Sequence, residues 1–513
     1  MRIVERLGTI VLALAVMGGT ASAQDATAVV QAAITTLGGA NLKSIRYSGT
    51  GYVGEVGQSF SPELEWPLLE LSSYTRTIDY QARSSREDLV LKQGNNEPLG
   101  GGRTPIQGEL RQALLVSGDY AWNLQGNNPV PAPAALELRQ LDILRTPHGF
   151  LRAALEAAKA GNATAVTRYE FRQKMTVVSF VAMGKYRLNG TINANNLLVR
   201  VLTWIPNPVR GDLHYEVRYG DYKDFGGLKF PTEFHQHTDL DDSDFLPNIS
   251  GGHDSFGIIV TDVKADVPDA PLVVPDVVRK ATVPPVVVVS QKLADGVWML
   301  GGGTHNSVAV EFRDFVAVIE APLNEQRSIA VITEVYKLIP NKQIRYIVST
   351  HHHWDHIGGL RTYVHEGATI ITHRRNRPFY EEILGDRRRI LEPDRLSLHP
   401  PREVLEDAYL FENLEEKYVL TDSVRTLEIH RIDHANHVEG MVVAYLPKEQ
   451  ILVEADLYNP PAAGAQPPGT PSQNNLALYN NLRNRKIEAS LIVPIHGRPV
   501  PMADFLKEIG KSQ

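Results

Sequence analysis

Cysteine is missing from all 513 positions of this chain. Its absence excludes disulfides, lipid attachment at a cysteine and thiolate metal ligation, so any bound metal must be held by His, Asp or Glu. A chain of this size can build enough core to do without disulfides. Long apolar runs are also scarce: beyond the N-terminal segment, no stretch approaches the ~20 apolar residues that span a bilayer. Nor is there an excess of positive charge. Lys and Arg total 52 against 59 Asp and Glu, giving a net charge of −7. That balance offers no electrostatic case for nucleic acid or an anionic membrane. A small-molecule substrate is compatible with it, and the sequence carries no signal about oligomeric state.

The first 23 residues read as a cleaved signal peptide. Arg2, Glu5 and Arg6 precede an apolar run from Leu7 to Met17, and Ala21-Ser22-Ala23 supplies an A-x-A cleavage site. The mature chain would start at Gln24 and be periplasmic or secreted, with no integral membrane span left after signal removal. An uncleaved N-terminal anchor is the alternative reading.

Length and composition favour two domains: 43% of residues are apolar and 22% charged, as in soluble globular proteins. Residues 24–267 read as a mainly β domain. Tyr215, Val217 and Tyr219 alternate with His214, Glu216 and Arg218, the period-2 pattern of a half-buried strand. Ser179 to Tyr186 and Leu197 to Trp204 are expected to pair, with Asn189-Gly190 as a turn between them. Helices are expected over Ala26 to Leu37 and Gly149 to Ala160. The segment Tyr219 to Phe234 and the strand Ile258 to Val267 resemble the antiparallel half-barrel of periplasmic lipoprotein carriers. Residues 268–285 hold five prolines and read as an extended linker.

From residue 286 to 513 the pattern alternates strand and helix. Phe315 to Ile319 reads as a strand, Glu325 to Leu338 as an amphipathic helix, and Gln343 to Ser349 as an apolar strand running into a histidine cluster. Arg374 to Tyr418 reads as a mainly helical insertion. Its arginines Arg374, Arg375, Arg377 and Arg387-Arg388-Arg389 are expected on a solvated face, with attraction of an anionic substrate as the alternative.

The chemistry concentrates at Thr350-His351-His352-His353-Trp354-Asp355-His356. Residues two apart on an extended segment point the same way, so His351 and His353 can grip one ion. Asp355 and His356 lie at the turn into the next element and can reach a second ion. Gly358-Gly359 then permits a tight backbone path. The run sits at a strand's C-terminal end, where α/β proteins place their sites.

This H-x-H-x-D-H run resembles the signature loop of the metallo-β-lactamase-fold superfamily. The resemblance implies an α/β fold class, with residues 286–513 as a four-layered αββα sandwich. It points to His437 in Asn436-His437-Val438-Glu439-Gly440 as a further ligand, with His430 and His434 as rivals. It likewise points to Asp456 after Leu452-Val453-Glu454-Ala455, and to His496 before Gly497. The implied assignment is His351, His353 and His437 on one metal, Asp355, His356 and His496 on the second, and Asp456 between them. The cofactor would be two divalent ions, with zinc first and manganese or iron as alternatives. Glu320 stands where the family commonly has an aspartate, and it would act from behind the ligands.

The implied activity is metal-dependent hydrolysis. Hydroxide generated between the ions would attack an ester, lactone, thioester or related bond, with Asp355 or Asp456 moving a proton. Asp456 argues against the β-lactamase branches, which usually lack a carboxylate there. Two alternatives stand beside this reading: a metallo-β-lactamase proper, and a periplasmic carrier for an apolar ligand whose metal domain is secondary. His235 and His237 form another H-x-H, but no further ligand follows at useful spacing. Gly301-Gly302-Gly303-Thr304-His305-Asn306 is expected either to line the cleft or to make a plain turn. Asn459 to Pro471 is expected as a lip over the site or an ordinary surface loop.

Overall fold

The structure is a computed structural model that describes residues 22–102, 105–170, 172–239, 253–385, 388–401, 410–461 and 470–511. Most of the expected leader therefore lies outside the described residues. The chain is mixed α/β, dominated by antiparallel pairing, with a large β domain followed by an α/β sandwich.

The first domain is one antiparallel sheet of 14 strands, in which Ser44–Gly54 pairs with His253–Ala265 and joins two meanders. Three helices, Ala26–Leu37, Leu136–Arg145 and Pro147–Lys159, bury one face each against it. The core gathers Val30, Leu37, Phe150 and Leu151 from the helices with Tyr47, Leu71, Val201 and Phe230 from strands. Helix starts follow local chemistry: Asp25 accepts from Thr27 N–H, and Thr146 caps the helix in which Pro147 leads.

Two expectations fail here. Asn189-Gly190 is not a turn: both residues lie inside the strand Tyr186–Asn193, and the chain reverses at Met183, Gly184 and Lys185 instead. Gly190 is there because a Cβ would collide with the ring of Phe150. The proline-rich segment is also not simply extended. Asp276–Arg279 forms a helical turn, and Val274 and Val278 pack on Leu115 and Trp122 of the β domain.

The second domain has two sheets face to face. The first has seven strands and turns parallel from Phe315–Ile319 through Gln343–Val348 and Thr369–His373 to Phe411–Leu414. The second has six, including Thr426–Arg431, Val442–Leu446, Ile451–Glu454 and Leu491–Pro494. Val308, Phe312, Ile319 and Val348 meet Leu427, Val442, Val453 and Val493 between the sheets. The helices Glu325–Leu338 and Arg377–Gly385 cover one outer face, while Gln473–Asn484 and Met502–Glu508 cover the other. The result is the four-layer αββα order, because strands buried on both faces must be covered twice.

Among its described residues the insertion is less helical than expected. Beyond Arg377–Gly385 and the single turn Arg395–Leu398, its described part ends in the strands Phe411–Leu414 and Lys417–Thr421. Arg389 is not on a solvated face. It is buried, donates to the carbonyls of Asn207 and Val209 in the β domain, and lies 3.3 Å from Asp394. Arg374, Arg375 and Arg377 are paired with Glu415, Glu439 and Glu381, which leaves them poorly placed to attract an anion. Among the described residues, no helix is long and apolar enough to cross a membrane.

Candidate metal centre

The seven sequence candidates come from four loop segments and converge at one edge of the sandwich. His351 and His353 extend from the end of Gln343–Val348, and Asp355 and His356 lie in the turn Trp354–Ile357. Gly358 and Gly359 let this turn pack closely, since a Cβ on either would strike the Leu323 carbonyl or the Ser328 hydroxyl. His437 is positioned through backbone N–H donation from Asn436 and His437 to Asn474 Oδ1. Asp456 follows the strand Ile451–Glu454 and His496 follows Leu491–Pro494. Glu320 and Asp456 both adopt positive φ, +72° and +58°. Such backbone strain gathers at functional sites, and here it redirects two carboxylates at strand ends.

Ligating atoms of His351, His353 and His437 lie within 4.8 Å of one another, as do those of His351, His356 and Asp456. Asp456 faces both groups: its Oδ2 is 3.4 Å from His351 Nε2, 3.4 Å from His437 Nε2 and 2.7 Å from His356 Nε2. Its Oδ1 is 3.2 Å from His496 Nε2. Asp355, His356 and His496 form another cluster, and there the structure adds His305. The rival histidines stand apart, with His430 bonded to Glu428 and His434 exposed. His235 and His237 do not share a face. A bulge between Gln236 and His237 shifts the register, leaving His235 exposed and His237 buried near Asp254.

Most of these imidazoles have one nitrogen tethered from outside. Thr350 Oγ1 is 2.9 Å from His351 Nδ1, Glu320 Oε2 accepts from His356 Nδ1 at 2.7 Å, and the Thr304 carbonyl accepts from His496 Nδ1. His353 Nε2 donates to the Ser59 carbonyl at 2.9 Å, which leaves the buried Nδ1 with no hydrogen-bond partner. A buried polar atom without a partner is costly, and a cation beside Nδ1 would satisfy it. Tethers of this kind fix tautomer and ring orientation for metal ligation. The residues present therefore fit divalent metal binding.

The electrostatics agree. Burial holds the His351 and His353 imidazoles well below the usual histidine range, with neighbouring rings adding to the shift, so both stay in the neutral, ligating form. Burial works against ionising Asp355 and Asp456, yet their histidine neighbours hold both well below the usual carboxylate range. His356 is buried too, but Asp456 and Glu320 on either side raise its pKa well above 6.5.

The β domain takes part directly. Gln58 Nε2 donates to Asp355 Oδ1 at 2.7 Å, and Ser59 carries the carbonyl that holds His352 and His353. Trp354 N–H donates to the Gly57 carbonyl, and the Trp354 ring meets Trp66 edge-on. A cavity of about 800 Å³ opens over His437 and Asp456. Pro98, Gly101 and Gln107 of the β domain line it together with Asn459, Pro461 and Pro471. The segment expected as a lip thus borders the cavity, although residues 462–469 lie outside the described ones.

Residues 300–496 match the sequence profile of the metallo-beta-lactamase superfamily. The C-terminal domain belongs to that superfamily. Its members are generally metal-dependent hydrolases. Among solved structures, a metallo-beta-lactamase from Pontibacter korlensis is similar at 16% identity, covering 44% of this chain and 98% of its own, with a TM-score of 0.33. The metallo-beta-lactamase FIM-1 from Pseudomonas aeruginosa, in a mono-zinc form, is similar at 20% identity, covering 44% and 96%, with a TM-score of 0.32. No curated protein matches the chain.

Sequence reasoning missed the role of His305, Gln58 and Ser59. His305 lies in the glycine-rich stretch singled out for the cleft, but nothing local distinguishes it from a turn residue. Gln58 and Ser59 are ordinary loop residues, and only domain packing brings them to the centre.

Proposed function

We propose that the protein is an exported, dinuclear metal-dependent hydrolase of esters, lactones, thioesters or related bonds. The observation that carries this reading is the convergence of five histidines and two aspartates, with Asp456 facing both clusters. When bound, two divalent ions supply activated water near neutral pH and polarise the bond under attack. His351, His353 and His437 would hold one ion, and Asp355, His356 and His496 the other, with Asp456 shared.

The chain's own residues do the rest. Glu320 keeps the Nε2 of His356 aimed inward by accepting from its Nδ1. Gln58 occupies Asp355 Oδ1 and leaves Oδ2 toward His305 and His356, where it would join the donors of the second ion. The walls from both domains would border a substrate bound over His437 and Asp456.

The test is a panel of ester, lactone, thioester and phosphodiester substrates offered to metal-loaded protein. Turnover that needs the metal is expected, with a drop on the order of 10³-fold in Asp355→Ala. Full metal loading with no turnover on any class would overturn the reading. That outcome would favour a carrier, because the β domain holds a separate cavity of about 410 Å³ lined by Tyr47, Tyr74, Phe234 and Phe256.

A further inference from the structure

We infer that His305 is a protein donor to the second metal position, making it a five-donor site unlike the first. The inference rests on the two-metal reading above. It starts from geometry: ligating atoms of His305, Asp355, His356 and His496 all lie within 4.8 Å of one another. His305 Nε2 is 3.3 Å from Asp355 Oδ2. Two donors bound at about 2.1 Å to one ion sit roughly 3.0 to 3.5 Å apart, so this spacing is that of neighbouring ligands.

His305 also carries the outward mark of the expected ligands. Thr304 Oγ1 lies 2.8 Å from its Nδ1, leaving Nε2 for the cluster. The loop is clamped to the His496 loop on both sides of His305. The Thr304 carbonyl accepts from His496 Nδ1, Asn306 N–H donates to the Ile495 carbonyl, and Asn306 Nδ2 donates to the carbonyls of Pro494 and Gly497. Gly302 and Gly303, at φ +102° and +112°, allow the chain to enter this clamp. Behind it, the buried Arg327 binds the carbonyls of Leu300, Gly301 and His305. A residue that merely filled a turn would not need to be fixed from so many sides.

The consequence is chemical. The first position has His351, His353, His437 and the shared Asp456, a set that suits four-coordinate zinc. The second would have His305, His356, His496, Asp355 and the shared Asp456. Five nitrogen and oxygen donors suit an ion that accepts five or six ligands, such as manganese, iron or cobalt, better than a tetrahedral one.

Metal content and the cobalt(II) d–d spectrum of the full chain, measured after dialysis against a weak chelator, test this without any turnover assay. Wild type is expected to keep two equivalents, one with the weak absorption of a five- or six-coordinate ion. His305→Ala is expected to keep the first ion and bind the second at least about a hundredfold more weakly. His305→Gln retains a hydrogen-bond donor toward Asp355 but no imidazole, and should behave like the alanine variant. Two equivalents with an unchanged spectrum in both variants would overturn the inference, as would loss in alanine and retention in glutamine, since His305 would then only orient Asp355. Wild type that binds no metal would remove the two-metal reading itself. Retained binding of the first ion in the variants shows that they have folded.

Discussion

The two domains bury histidine for opposite ends. In the β domain His148 lies buried with its ring stacked on Phe230, and both ring nitrogens lack a hydrogen-bond partner. In the sandwich His351, His353 and His356 are buried as deeply, but each has one nitrogen anchored and the other turned toward further donors. Burial alone therefore does not mark a metal ligand. What separates the two cases is an outer tether that fixes the ring and leaves a lone pair pointing at other lone pairs.

The largest effect that sharpens this contrast is on stability. Burial, assisted by the nearby Arg152 charge, pushes the His148 pKa down to about 4 from 6.5. The unfolded chain takes up that proton first as pH falls, so the stability contribution is whole above pH 6.5 and is lost on the way down to pH 4. The full shift corresponds to at most about 3 kcal/mol. Denaturant unfolding of wild type and His148→Phe, measured in parallel between pH 7 and 4.5, should show a shallower pH dependence in the variant. Parallel curves would mean that the ring is not held neutral by burial.

A smaller effect is expected behind the ligands. Glu320→Gln keeps the shape but removes the charge that accepts from His356 Nδ1 and Thr350 N–H. Competition with a chromophoric chelator should show metal affinity weakened about 10- to 100-fold. Unchanged affinity would show that the tether does not matter to binding. The smallest effect is expected across the domain boundary. Gln58→Ala removes one hydrogen bond to a partly exposed carboxylate, and the same chelator competition should register about a two- to tenfold loss. A loss as large as that for Glu320→Gln would make the β domain a full partner in holding the ion.

Legibility in the sequence followed locality. The helices Ala26–Leu37 and Glu325–Leu338 were readable because periodicity and flanking breakers act within a few residues. The bunching of His351, His353, Asp355 and His356 at a strand end was readable for the same reason. Gly190 was misread because its purpose is room for Phe150, which is 40 residues away in the chain and adjacent only in the fold. Arg389 was misread because a charge run looks solvated until a second domain covers it.

By itself the sequence determined the absence of thiolate chemistry, the β-then-α/β order and the histidine-aspartate pattern, since composition and short-range spacing do not depend on packing. The tertiary structure decided which donors share a cluster, brought His305 beside Asp355, and put Gln58 and Ser59 of one domain against the ligands of the other. Those contacts join residues up to 297 positions apart, and only closure of the whole chain brings such distant groups within hydrogen-bond reach.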